Sequence, residues 1–519
     1  MPATRPAAAI LAALICTAAP AAAQDVTLTS RDGSFALEGT LLSFDGEFYR
    51  IDTIYGPLTV DGMGVSCAGP GCPDLEAFVA EVTLSGSEAM GSVLMPALLE
   101  AFAAQRGHSA AREIRDALGF TYTLADPSGR AIARVDFRLT TTDEGFADLV
   151  AGEADLAMAA REVRPDELAL GREAGIGTLS APAQSRVVAF DAFVAAVAPG
   201  NPVAAISPED LAHALAGEVA DWGALGGTPG VPLRLHAMAA ALGAEQAAEA
   251  AVFGTSGRGL APGAIRHPDA AAVADAVAAD PAGLGVTLAS ALGAARPLAL
   301  SGSCGFAIAP VDAAIRSEDY PLVAPMFLYA PARRLPAIAR DFLAFLSTPA
   351  AQRVIARAGF TDLGARRVPL AAQGERLGKA ILAAGGEVPL AALQEMVRTL
   401  SGADRLSPTF RFRPGAAGLN APSRGNAILL SEALEAGVYD GRELIFAGFS
   451  DGAGGAEANL EISRQRAEAV RAAVRALADG ADLDRVRLTA VAFGEALPIA
   501  CDDSDWGRRA NRRVEVWLR

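Results

Sequence analysis

The sequence predicts a multidomain protein of mixed α/β and α+β class, and three observations carry that expectation. Residues 25–73 alternate apolar and polar positions in short runs broken by Asp-Gly pairs at 32, 45 and 61. Residues 78–363 alternate apolar strands with Ala-rich amphipathic stretches, and a fresh strand–helix unit begins after residue 402. With 519 residues, 51% hydrophobic and 20% charged, the chain has material for several ordinary cores.

Ahead of these pieces, residues 1–23 combine Arg5, an apolar stretch over 7–18 and the run Ala21-Ala22-Ala23, the pattern of a cleavable secretory signal. Cys16 follows Ile15, which is too bulky for the small residue that lipoprotein processing needs, so no lipid anchor is expected. No later segment keeps eighteen apolar residues together without charge, and none is expected to span a membrane. The formal net charge of −16 opposes binding to a phosphate lattice, which argues against nucleic acid and anionic lipid but not against one small anion held locally.

Asp-Gly pairs between alternating runs signal tight hairpins, so residues 25–74 read as a small antiparallel β unit. Cys67 and Cys72 flank Ala-Gly-Pro-Gly, a turn that folds two sulfurs together in an oxidising compartment, and a local disulfide is expected. Zinc is the rival reading, but no second Cys/His pair has ligand spacing and the chain holds 4 His. Whether Cys304 and Cys501 pair is left open.

In the central region a strand over 79–84 precedes a helix over 92–104, and a strand over 187–198 precedes a helix over 208–215. Such alternation predicts largely parallel sheets, and nearly three hundred residues predict two lobes. Ser85-Gly86-Ser87 lies between strand and helix, where hydroxyls and backbone N–H groups meet a positive helix end. That is an anion site in principle and a plain helix cap otherwise. Leu84-Ser85-Gly86-Ser87, the run from Gly152 through Asp155 to Arg161, Asn201-Pro202-Val203, Trp222 with Gly226-Gly227, and Tyr320-Pro321-Leu322 with Phe327-Leu328-Tyr329 together resemble the phosphate-binding PstS-like periplasmic proteins of ABC importers. The resemblance implies a two-lobed periplasmic-binding-protein (type 2) fold over 78–363 that closes on a ligand. It names Ser85, Ser87, Thr141, Thr142, Arg161 and Asp191 as contacts for phosphate or a related anion, and an ABC permease as partner. Two positions depart from the pattern. The family's Ser-Gly-Thr loop falls near Ala239-Ala240-Ala241, and the place of its hydrogen-accepting carboxylate is Ala160. No Gly-x-Ser-x-Gly elbow and no Lys-bearing phosphate loop occurs, so neither catalysis, nor a cofactor, nor a metal is expected.

Residues 364–401 read as a helical connector, with helices over 375–384 and 390–400. In the last unit, residues 402–519, the strand 444–448 runs into the glycine-rich loop that bears Asp451. A helix follows in which Asn459, Ser463 and Arg466 share one rim. A carboxylate and a guanidinium fork suit a zwitterion, although alone they equally describe a surface salt bridge. Gly448-Phe449-Ser450-Asp451, Asn459, Ile462-Ser463 with Arg466-Ala467, Phe493-Gly494-Glu495 and Asn511-Arg512-Arg513-Val514-Glu515 resemble the OmpA-like peptidoglycan-binding family. The resemblance implies a β/α sandwich in which Asp451, Asn459 and Arg466 form the peptidoglycan site and hold the diaminopimelate of the stem peptide. The family's usual His-Thr before the aspartate is Phe449-Ser450 here: serine keeps the hydroxyl and phenylalanine removes a polar group. Asn511-Arg512-Arg513 reads as structural.

The expected function is a periplasmic binding protein for phosphate or a related anion, tethered to peptidoglycan and lying near the outer membrane. The alternative is a structural envelope linker with a vestigial pocket.

Overall fold

The computed structural model describes residues 25–519 except 76, 241–242, 255, 384–387 and 414–417. The expected leader, residues 1–23, lies outside them. The chain divides into two compact units, residues 1–80 and 81–519.

Alternation in the first unit produces a five-stranded, wholly antiparallel sheet, in spatial order Gly56–Asp61, Phe48–Thr53, Ala36–Phe44, Asp25–Ser30, Val65–Ala68. One face is sealed by Val26, Leu28, Tyr49, Ile51 and Val65, the inward positions of a period-2 pattern. At the second Asp-Gly pair, the Asp45 carboxylate accepts from the N–H groups of Glu47 and Phe48 at 2.9 and 2.7 Å, which fixes that hairpin. Cys67, within the last strand, and Cys72, just past it, are joined as a disulfide with their Cα atoms 5.8 Å apart.

Residues 81–363 form two lobes that share the long strand Ser185–Val197. Its first half pairs with Val323–Tyr329 in one lobe, and its second half pairs with Gly283–Leu288 in the other. The sheets are mixed, not largely parallel as the alternation suggested. Parallel pairing is confined to places such as Leu156–Ala159 beside Ala80–Ser87, and Arg234–Met238 beside both Ile265–His267 and Gly283–Leu288. Strands Ser109–Ile114, Gly119–Ala125 and Ala131–Thr140 follow one another through short turns, which only antiparallel neighbours permit.

The final sheet runs Arg367–Pro369, Asp404–Arg411, Arg513–Leu518, Glu443–Phe449, Arg487–Ala492, with the last pair parallel and the rest antiparallel. Helices Ala421–Glu435 and Ala456–Leu477 cover one face around Phe410, Phe446, Val470 and Val516. The opposite face buries Ile445, Ala447, Phe449 and Trp517 under helices Gly374–Ala383 and Leu390–Leu400. The segment expected to be a connector is therefore a layer of this sandwich, because Ala380, Leu393, Met396 and Leu400 form an apolar stripe that the bare sheet face requires.

The sandwich and the two-lobed body belong to the same compact unit. Asp319 of the body receives Arg405 at 2.9 Å and Arg411 at 3.0 Å, and Glu162 receives Arg424 at 3.0 Å. Ala421 joins an apolar cluster with Phe146 and Leu149 of the first lobe. Cys304, between the short strands Ala299–Ser301 and Ala307–Ile308 of the second lobe, is bonded to Cys501. The Ser303 N–H next to it donates to Asp503 at 2.6 Å. Each lobe is thus tied to the C-terminal domain separately.

Candidate functional site

In the C-terminal domain, Gly448 sets the geometry. A Cβ there would fall 2.0 Å from the Ser463 carbonyl oxygen, so only glycine lets helix Ala456–Leu477 lie directly on strand Glu443–Phe449. That close approach brings the loop bearing Asp451 and the helix bearing Asn459, Ser463 and Arg466 to one rim. The buried Ser463 hydroxyl accepts from Gly494 N–H at 3.1 Å. Buried Asn459 donates to Glu495 at 2.7 Å and to the Ala453 carbonyl at 3.2 Å, which locks the loop from below.

Asp451 is buried and takes Arg512 at 2.5 Å. This partner, read from the sequence as mainly structural, packing the last strand against the site, makes an ion pair with Asp451 itself. Its neighbours do match that expectation: Asn511 spans Ile499, Ala500 and Asp502, and Arg513 is fully buried against Glu515. Asn511 ends helix Asp505–Asn511 and Arg513 opens strand Arg513–Leu518, so Arg512 lies at the turn between them. Arg466 stacks over Phe412, with 5.6 Å from its guanidinium to the ring centre. Its Nη1 is sealed from solvent and has no hydrogen-bond partner among the described residues, and the Ser450 hydroxyl is in the same condition. Burial pushes the Arg466 pKa down, Arg512 pushes it further, and Asp451 opposes both. A half-sealed guanidinium beside a carboxylate and an orphaned hydroxyl is chemically suited to accept a carboxylate, because leaving such groups bare is costly.

In the body, Gly86 plays a similar part. Its φ is 120°, and a Cβ would meet the Met158 carbonyl oxygen at 2.2 Å. Gly145, in the first turn of helix Thr142–Ala151, approaches the same loop, so the structure gathers Ser85, Gly86, Thr141, Thr142 and Ala160 at the ends of strands Ala80–Ser87 and Leu156–Ala159. Most of these groups already have partners. Ser85 donates to Asp148 at 2.5 Å, Thr141 caps its helix through Glu144, and Thr142 Oγ1 accepts from Ala160 N–H at 3.1 Å. Ser87 is buried in the same strand end. Arg161 is held at 2.5 Å by both Asp143 and Glu167. Asp191 stands apart at the hinge, where it accepts from Ser290 N–H at 3.1 Å and Ser290 Oγ at 2.5 Å, and burial pushes its carboxyl up to about 6.

The loop expected opposite the serines begins at Ala239 and Ala240, while Ala241 lies outside the described residues. Two carboxylates from different lobes interact unannounced by any motif. Glu88, immediately after Ser87, is raised by burial and by Asp269, the N-cap of helix Ala270–Ala279 in the other lobe. Among the described residues, no group of three or more His, Cys, Asp or Glu is arranged to hold a metal. No helix among them is long and apolar enough to cross a membrane.

Comparison with known proteins matches residues 77–349 to the PBP superfamily domain and residues 411–512 to the OmpA family. The probable lipoprotein YiaD of Escherichia coli (strain K12) is 38% identical over 71 residues, 14% of this chain, and the match spans 31% of that relative's length. Among solved structures, an ABC-type phosphate transport receptor from Vibrio cholerae aligns with a TM-score of 0.41 and 19% identity, covering 54% of this chain and 98% of that one. The peptidoglycan-associated lipoprotein from Burkholderia pseudomallei aligns with a TM-score of 0.19 and 23% identity, covering 21% and 89%. With more than half of its length matched by one family model, the chain belongs to the PBP superfamily and carries a C-terminal domain of the OmpA family.

Proposed function

We propose that this chain is a wall-moored periplasmic binding-type protein, not an enzyme, whose C-terminal domain grips the free diaminopimelate end of a peptidoglycan stem peptide. Arg466 takes the ligand carboxylate, Asp451 and Arg512 form the polar floor beside it, and Asn459 holds the loop. The observation that carries this reading is the sealed, unpartnered Nη1 of Arg466 next to the Asp451–Arg512 pair. The mature chain is expected to pellet with purified sacculi, and the double variant Asp451→Ala, Arg466→Ala is expected to stay in the supernatant. Co-sedimentation of the double variant at the wild-type level would sink the proposal.

For the inter-lobe cleft, phosphate or a related anion held by Ser85, Ser87, Thr141, Thr142 and Arg161 is one reading, and a pocket that has lost its anion is the second. We take the second, because Arg161 is already neutralised by two carboxylates, and Glu88, directly after Ser87, adds a further carboxyl beside the loop. Calorimetric titration with phosphate and sulfate is expected to give no heat. A micromolar isotherm that Arg161→Ala abolishes would restore the first reading and an importer as partner.

A further inference from the structure

Between the body and the C-terminal domain lies a cleft of about 670 Å³, with Glu318 and Asp319 on one side and Arg411, Arg466, Arg509 and Arg512 on the other. Most of its charge is already spent inside the protein. Asp319 is divided between Arg405 and Arg411, and Arg512 is closed on Asp451.

Three lining atoms, Arg411 Nε, Arg466 Nη1 and Glu318 Oε1, are sealed from solvent without a hydrogen-bond partner among the described residues, and of these Arg411 already has its other nitrogens engaged by Asp319 and by backbone carbonyls. Glu318 is also the one described non-glycine residue with a left-handed backbone, at φ 56°. Glycine adopts that conformation freely, whereas an L side chain costs roughly 1–2 kcal/mol there. A half-buried carboxylate with one oxygen sealed and unpartnered, set on a strained backbone, is destabilising on both counts, the pattern found where a side chain serves a ligand instead of the fold.

We propose that the cleft is a composite binding site, in which Glu318 of the two-lobed body receives the ammonium of a zwitterionic amino-acid-type ligand while Arg466 of the C-terminal domain takes its carboxylate. This deepens the mooring reading and rests on it: the ligand is the same free diaminopimelate end, and the new element is that the body supplies its cation receptor. Asp451 is the carboxylate that the family resemblance assigns to that task. Its pairing with Arg512 means that accepting an ammonium would leave a partly buried guanidinium bare, whereas Glu318 Oε1 gives up no hydrogen bond among the described residues and its carboxyl feels Arg411 only through charge. A ligand with separated opposite charges fits two unsatisfied groups of opposite character lining one cavity.

The test uses the full chain, purified sacculi for co-sedimentation, and free meso-diaminopimelic acid as the calorimetric probe. Glu318→Gln keeps the side-chain shape and removes the charge. It is expected to weaken probe binding by about 10- to 100-fold, the loss of one charge-assisted hydrogen bond, while Arg466→Ala abolishes it. Glu318→Asp, which shortens the arm, is the second variant, and circular dichroism verifies that each variant is folded. Wild-type affinity in folded Glu318→Gln and Glu318→Asp, with binding lost in Arg466→Ala, would overturn the composite site and leave the mooring intact. Wild-type affinity in all three would overturn both.

Discussion

Glu515 shows how far a single residue of this protein depends on its partners. It is fully buried on the central strand of the C-terminal sheet, with Arg376 at 2.6 Å, Arg513 at 2.7 Å and Arg405 at 3.5 Å. Burial alone would raise its pKa, but the three guanidinium groups outweigh burial and hold the carboxyl far below its ordinary range. Removing the carboxylate leaves three cations facing one another in a dry interior, so Glu515→Ala is expected to cost about 3–5 kcal/mol in urea denaturation at pH 7. A depressed folded pKa contributes stability that is present above the unfolded value and lost as pH falls through the folded one. The gap between wild type and Glu515→Ala should therefore narrow in acid, and a gap independent of pH down to the acid limit would refute this account. The same scale shows where residue reading stops. Arg512 and Arg513 are adjacent and chemically identical in the sequence, yet one closes on Asp451 and the other on Glu515, and only the helix-to-strand junction between them decides which.

Among the elements, helices Gly374–Ala383 and Leu390–Leu400 are the most instructive. Their existence was legible from apolar spacing, and so were the N-terminal hairpins, the strand–helix alternation of the body and the loop–helix frame around Asp451. Their role was not legible, since an amphipathic helix beside a polar stretch looks the same whether its stripe meets a neighbouring domain or its own sheet. Met396, buried against that sheet, supplies the test. Met396→Ala is expected to cost about 2–5 kcal/mol by denaturant unfolding, whereas Val397→Ala at an exposed position should stay within about 0.5 kcal/mol. Equal, negligible effects would return the segment to the status of a connector. Around Ser85-Gly86-Ser87 the loop was readable from the sequence, but the commitments of its neighbours were not. The carboxylates that occupy Arg161 come from two different helices that sequence distance does not relate.

For the molecule as a whole, the order of domains was readable and their docking was not. The junction is made by isolated side chains, namely Glu162, Asp319, Cys304 and their partners, none of which repeats with a period. The bond between Cys304 and Cys501 spans 197 residues. In the chain-entropy picture, closing so long a loop contributes up to about 5 kcal/mol, and engineered cases commonly deliver less. Cys304→Ser is expected to lower the melting temperature of unit 81–519 by several degrees in calorimetry, and an unchanged transition would mean that the docking salt bridges suffice. The same bond has a consequence for damage. A protease that nicks the backbone anywhere between these two cysteines leaves both fragments covalently joined, so the cut chain travels as one molecule and separates on a gel only after reduction.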